Sequence, residues 1–258
     1  MEGNHPILFC VRAKHYQELE RQSPFVTVSG FRGHYSKMQS MNILYQDNAI
    51  LLIDKPAGMP VLPDGWEKNT PYLVKLLAET CGRLWVVHRL DKVTSGVMIL
   101  ARTMEAHRGL NMQFERHEAQ KVYHAICMGA PQWQEHTARH KLRVNVGHSH
   151  RTAVDNSLGK TAETHFTVLK RYSAHGLIEA RPTTGRTHQI RVHAYALGHP
   201  LLGDSLYNAP ATHLITHPAL HAFSLTITHP VSGERLTFEA PYPDDFSAAL
   251  KQLSDDKK

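Results

Sequence analysis

Two apolar runs separated by a short, densely charged stretch constrain this chain more than any other feature. Trp85-Val86-Val87 and Val97-Met98-Ile99-Leu100-Ala101 each read as a buried strand. Between them lie His88, Arg89, Leu90, Asp91, Lys92, Val93, Thr94 and Ser95, then Gly96, which is predicted to permit a tight turn. A carboxylate beside an arginine in such a loop is favoured in its charged form by the guanidinium. An isolated Arg-x-Asp would ordinarily be a polar connection whose Asp caps a turn. The segments that accompany this loop along the chain argue for more.

The elements around it are partly legible. Ile43-Leu44-Tyr45 and 49–53 read as strands around a turn at Gln46-Asp47-Asn48. Thr70-Pro71 is predicted to open a helix through Thr80, with Thr as cap and Pro at the first position. Thr103 is predicted to cap a helix whose Ala106, Leu110 and Phe114 share a buried face. Residues 121–128 read as a strand, and Ala162, Thr164, Phe166 and Val168 alternate as another. Leu225, Ile227, Leu236 and Phe238 fit a hairpin turning at Val231-Ser232-Gly233, and Phe246, Leu250 and Leu253 mark a last helix. Strands and helices intermix without a regular βαβ rhythm, which predicts an α+β fold on a mixed or largely antiparallel sheet.

Four segments, in order, carry a resemblance: Ile50-Leu51-Leu52-Ile53-Asp54-Lys55-Pro56-Ala57-Gly58, the His88–Gly96 loop, Lys121-Val122-Tyr123-His124-Ala125, and Thr184-Gly185-Arg186-Thr187-His188-Gln189-Ile190-Arg191-Val192-His193 followed by 197–204. Together they resemble the RluA family of pseudouridine synthases. The resemblance implies a long bent mixed sheet flanked by helices, with an RNA cleft across its middle. It implies a catalytic domain at 41–258. Residues 1–40 are then a basic extension (Arg12, Lys14, Arg21, Arg32, His34, Lys37) broken by Pro24, Gly30 and Gly33, with no clear S4-type RNA-binding domain. The lack of that domain leans towards transfer RNA or hairpin loops as substrate.

The implied reaction breaks a uridine's C1′–N1 bond, turns the base and rejoins it through C5. It involves no redox step, so no cofactor is expected. Asp91 is the expected nucleophile, since a carboxylate can divide a hard step into easier ones through a covalent intermediate. Whether it engages the ribose C1′, the base or a C2′ proton stays open. Arg191 is its expected ion-pair partner, through a two-pronged contact. On a helix, His188 and Tyr195 would share the face of Arg191, and Ile190, Ala194 and Leu197 would bury another. Tyr123 is expected to contact the target base and to take part in proton transfer. Arg89 resembles the arginine that fills the space left by a flipped-out nucleotide. His88, Arg186, His188 and Lys55 complete the expected substrate-binding set, with Arg186, Lys55 and His88 expected to be structural or phosphate-contacting.

A net charge of +6 and a sequence pI near 9.2 agree with a polyanionic partner. The densest basic region, Arg139-His140-Lys141-Leu142-Arg143 through His148-Ser149-His150-Arg151, reads as a loop between strands and as a candidate for RNA-backbone contact. Twenty histidines invite a metal reading, but those in this region sit among Arg and Lys rather than acidic or Cys ligands, and no metal is expected. Three widely spaced cysteines, Cys10, Cys81 and Cys127, are expected to be buried thiols, not a disulfide framework. No run approaches the ~18 apolar residues of a membrane span. A cytoplasmic monomer is the expectation. A non-catalytic RNA-binding factor and a metal-dependent hydrolase are the competing readings.

Overall fold

The computed structural model describes residues 25–26, 41–63, 70–147 and 151–255; for 25–26 the backbone alone is described. The remainder of the basic 1–40 segment, together with Cys10 and 148–150, lies outside the described residues.

Twelve strands among these residues join one mixed sheet: β1 (Phe25–Val26), β2 (Met41–Gln46), β3 (Ile50–Lys55), β4 (Trp85–Val86), β5 (Ser95–Ala101), β6 (Gln120–Met128), β7 (Glu135–Val146), β8 (Arg151–Val154), β9 (Lys160–Arg171), β10 (His175–Pro182), β11 (Leu220–Thr228) and β12 (Arg235–Glu239). Four helices flank it: α1 (Leu73–Cys81), α2 (Met104–Glu115), α3 (Gln189–Ala196) and α4 (Asp244–Asp255). Neighbouring strands run β1-β2-β3-β5-β11-β6-β10-β9-β7-β8.

The apolar runs of β3 and β5 are continuous because both sheet faces are covered. Ile50, Leu52, Val97, Ile99 and Ala101 pack against Ala106 and Leu110 of α2 and against Leu225 and Ile227. Leu51, Ile53, Met98 and Leu100 face the other way, onto Leu73, Leu76 and Leu77 of α1 and onto Leu90. Each such side chain contributes on the order of 1.5–3 kcal/mol. Thr103 caps α2 by accepting the Ala106 amide at 3.1 Å, as the spacing predicts. At the β2–β3 turn, Asp47 accepts the Ala49 and Ile50 amides at 2.7 and 2.8 Å.

Helix α1 starts later than expected, with Tyr72 at the cap position and no side-chain cap. The Leu73 and Val74 amides donate to the carbonyls of Pro60 and Val61 at 2.9 and 3.4 Å, so an extended segment satisfies the first turn. Cys127 is a buried free thiol, whereas Cys81 is only partly buried.

Gly96 belongs to β5 and makes no turn. It lies where β5 and β11 meet in parallel, His221 opposite Ser95 and Ala222 opposite Gly96. Beyond that point the strands diverge. β4 takes the free edge of β5, and β12 takes that of β11. The approach is so close that a Cβ on Gly96 would run into the Ala222 carbonyl, and its φ of +109° is itself one that L side chains rarely adopt. The 87–94 loop, which joins β4 to β5, therefore opens at the fork in the middle of the sheet.

The basic run is a strand, not a loop. β7 pairs along its length with β9, Ala138 opposite Thr164 and His140 opposite Ala162. Following the register across β9 and β10 to β6 puts Phe166, Ala180 and Tyr123 on the same face as His136. Arg139, Lys141 and Arg143 alternate with those positions and project from the opposite face. Arg139 and Arg143 are also ion-paired, with Glu163 at 2.7 Å and Asp155 at 3.3 Å.

Candidate active site

The 87–94 loop is fastened at alternate residues. His88 accepts the Ile99 amide at 3.2 Å and stacks on Phe114 at 4.7 Å, and Leu90 enters the α1 side of the core. Arg89 is left exposed, and Asp91 emerges at the edge of a cavity of about 820 Å³. The loop closes on itself through Thr94 N–H to Asp91 O at 3.0 Å, and Gly58 N–H holds Lys92 O at 2.7 Å.

Lys55 fixes the same segment from below. Fully buried, its ammonium donates to the carbonyls of Pro56, Met59 and Lys92 at 2.8, 2.9 and 3.3 Å. Burial lowers its pKa to about 7, against the pull of Asp91 and Asp54. Lys55 is thus a fastener and is closed to substrate. His88, partly buried, lines the cavity while its Nε2 accepts the Ile99 amide. Burial and the nearby Lys121 charge lower its pKa to about 3, so it is a neutral acceptor anchoring β5.

Tyr123 stands on β6 facing the cavity. Across the sheet its neighbours are Ala222 on one side and Ala180 on the other, with Gly96 beyond Ala222. This row of small residues leaves space above the sheet beside the aromatic ring. Burial, with the charge of Asp91 second, raises the phenol pKa well above its ordinary value. Tyr123 is therefore a neutral hydroxyl near pH 7, able to stack or donate but not to act as a ready phenolate base.

Helix α3 packs on this face through Ile190 and Ala194, with Leu197 beside them. The loop before it is organised from within. The buried Gln189 side chain accepts from Arg186 N–H and the Thr184 hydroxyl at 3.0 and 2.6 Å and donates to Glu163 O and Thr164 Oγ1 at 2.8 and 3.0 Å. Arg186 is exposed on the cavity rim, where it donates to Thr161 O at 3.3 Å. His188 caps α3 in a left-handed conformation, φ 54°.

Arg191 is buried and reaches Asp91 through Nη1 at 3.7 Å. Its two-pronged contact, however, goes to Asp204: Nε and Nη2 donate to that carboxylate at 2.7 Å each, and the Tyr207 ring lies 5.2 Å from the guanidinium carbon. Burial works against the guanidinium's charge, but the bonds and charge of Asp204 and the charge of Asp91 outweigh it, so its pKa lies above the ordinary value. Asp204 aims Arg191 and leaves one edge for Asp91. His188 Nε2 lies 3.9 Å from Asp91, and its Nδ1 is 3.2 Å from the Tyr207 hydroxyl. Tyr195, on the same helix face, also meets Tyr207, ring centres 5.9 Å apart. Burial, ahead of the opposing charges around it, lowers the His188 pKa.

The structure thus brings Asp91, Tyr123, Arg191, His188, His88, Arg89 and Arg186 to one cavity and puts Lys55, fully buried, behind its wall as a support. Sequence reasoning missed Asp204, Tyr207, Gln189 and Lys121. Asp204 had one signal: a buried arginine carries five N–H donors, more than one carboxylate can satisfy. Among the described residues no group of three or more His, Cys, Asp or Glu is arranged to hold a metal ion, and no helix is long and apolar enough to cross a membrane.

Residues 49–196 match the family described as RNA pseudouridylate synthase. The chain is 38% identical over 234 residues to ribosomal large subunit pseudouridine synthase D of Neisseria meningitidis serogroup A, an alignment covering 83% of this chain but 61% of that one. It is 36% identical over 230 residues to the protein of the same name from Zymomonas mobilis, covering 83% of this chain and 73% of that one. Among solved structures, human RNA pseudouridylate synthase domain containing 1 superposes with a TM-score of 0.70 at 26% identity, over 86% of this chain and 96% of that one.

Proposed function

The chain belongs to the RNA pseudouridylate synthase family, and from this we propose that it isomerises uridine to pseudouridine in structured RNA, with Asp91 as nucleophile and no cofactor. One observation carries the reading: Asp91 opens onto the cavity 3.7 Å from a buried, pre-aimed Arg191, with Tyr123 in the same lining.

The net change breaks C1′–N1 and forms C1′–C5. C5 gives up a proton and N1 gains one, so nothing is oxidised or reduced. Asp91 supplies the negative charge that engages the nucleotide, and Arg191 balances and orients it. Tyr123 offers a flat face and a neutral hydroxyl to the uracil. His188 and Arg186 line the approach. Arg89, exposed beside Asp91, fills the stack when the nucleotide leaves it, offsetting part of the few kcal/mol that flipping costs.

We place catalysis in residues 41–258, with 1–40 as an extension, and the working unit as a monomer. The names of the relatives put ribosomal RNA first among the substrates to try, ahead of transfer RNA. The test is release of label from RNA tritiated at uridine C5, with Asp91→Asn as comparison. The wild type releases label. The variant falls below about 1% of it while RNA binding stays within a few-fold, since phosphate contacts dominate affinity. Substantial turnover by Asp91→Asn would remove Asp91 from the chemistry.

A further inference from the structure

The cavity wall carries a cation that has no counter-charge among the described residues. Lys121 lies on β6 two residues before Tyr123, hence on the same sheet face, and lines the same cavity as Arg89 and Arg186. Its ammonium makes one described hydrogen bond, to Thr184 O at 3.2 Å. No carboxylate among the described residues forms an ion pair with it, including Glu115 in the same lining. Burial alone lowers its pKa, to about 8.

An ammonium has three donors, and buried charges are otherwise paired. Lys121 is partly exposed in the cavity lining, so an anion entering the cavity can reach its remaining donors. The basic residues of β7 cannot do this work, because they face away from Tyr123 and two of them are spent on carboxylates. An RNA strand brings one full negative charge per nucleotide on its phosphodiesters, whereas a uracil carbonyl brings only a dipole. We propose that Lys121 is a substrate-positioning residue that binds the phosphodiester next to the target uridine, with the Thr184 carbonyl holding the ammonium in place. The proposal rests on the uridine-isomerase reading and names the contact that seats the nucleotide in that site.

The test compares wild type, Lys121→Met and Lys121→Arg on a uridine-containing RNA hairpin, by equilibrium binding across a salt series and by single-turnover rate. Thermal unfolding confirms that each variant is folded. Lys121→Met is expected to weaken binding about 10- to 100-fold, the scale of a charge-assisted hydrogen bond. Its log–log salt slope is expected to shrink by roughly 0.7–0.9, one phosphate contact. The rate at saturating RNA stays within a few-fold, and Lys121→Arg recovers most of the affinity. Hairpins with a single neutral methylphosphonate beside the target uridine identify the partner. At the contacted position the wild type loses affinity and Lys121→Met loses no more. Unchanged salt slope, additive losses at every methylphosphonate position, or a rate collapse with intact binding would each overturn the proposal. These binding measurements need no turnover, so failure of the wild type to isomerise any RNA would sink the functional reading separately.

Discussion

Removing the Asp204 carboxylate is the sharpest perturbation this structure offers, because Asp204 lies outside the cavity yet controls what Arg191 can do inside it. Both side chains of the pair are buried, 5% and 1% exposed, and two 2.7 Å bonds join them. Asp204→Ala strands a buried guanidinium, which costs about 3–5 kcal/mol. Arg191 has one escape: Nη1 can close its 3.7 Å gap to Asp91 and recover about 1.5–3 kcal/mol as a charge-assisted bond. The net is a loss of about 2 kcal/mol, or roughly 4–8 °C in Tm for a chain of this size. The escape also ties down the proposed nucleophile. Turnover is therefore expected to fall at least about 100-fold, equivalent to ~2.7 kcal/mol in the barrier, more than the stability loss alone would bring at 25 °C, where the variant stays folded. Thermal unfolding and label release from C5-tritiated RNA read the two effects. Adding Arg191→Met to Asp204→Ala removes the stranded charge, and is expected to restore Tm but not turnover. An Asp204→Ala protein with wild-type Tm and kcat would refute the argument.

Gly96→Ala is expected to cost at least about 3 kcal/mol, since both the backbone angle and the Ala222 carbonyl oppose a side chain; thermal unfolding within 2 °C of wild type would mean the fork is looser than described. Arg89→Ala is expected to slow turnover most on hairpins whose target uridine is stacked or paired, and least where it is unpaired; equal losses on both would assign Arg89 to chemistry or general binding. Acid is expected to destabilise the fold. His193 and His221 are buried, and burial lowers the pKa of each from 6.5 to about 4. The unfolded chain therefore takes up protons first, and stability held above pH 6.5 is lost as pH falls towards 4, by up to about 1.4 kcal/mol per unit per histidine. Asp54 has the opposite sign: burial raises its pKa from 3.8 to about 6, which offsets part of the loss in that range. Denaturant unfolding at pH 7 and pH 5 decides; equal or greater stability at pH 5 would contradict these assignments.

The sequence alone determined what depends on neighbours along the chain. The buried runs of β3 and β5, the Thr103 cap and the face shared by Arg191 and Tyr195 follow from periodicity and local hydrogen bonding, and the ordered motifs marked Asp91, Tyr123 and Arg191; His188 reaches the same place from a left-handed cap outside the helix. It did not show β7 as a strand, because only Ala138 and Leu142 of that segment are fully buried and a polar strand looks like a loop until its partner is known. The face on which Arg139 and Arg143 emerge depends on register across four strands. Burial decided between the two roles open to Lys55, making it a fastener of the chain. The requirement for glycine at position 96 is set by a strand more than a hundred residues later, not by a turn. Asp204 took the two-pronged contact expected of Asp91 because α3 and the 3₁₀ turn at Ser205–Tyr207 bring it against Nε and Nη2, leaving Asp91 the remaining edge. Charge partners, burial and close backbone approach are properties of three-dimensional neighbours, and only the tertiary structure decides who those are.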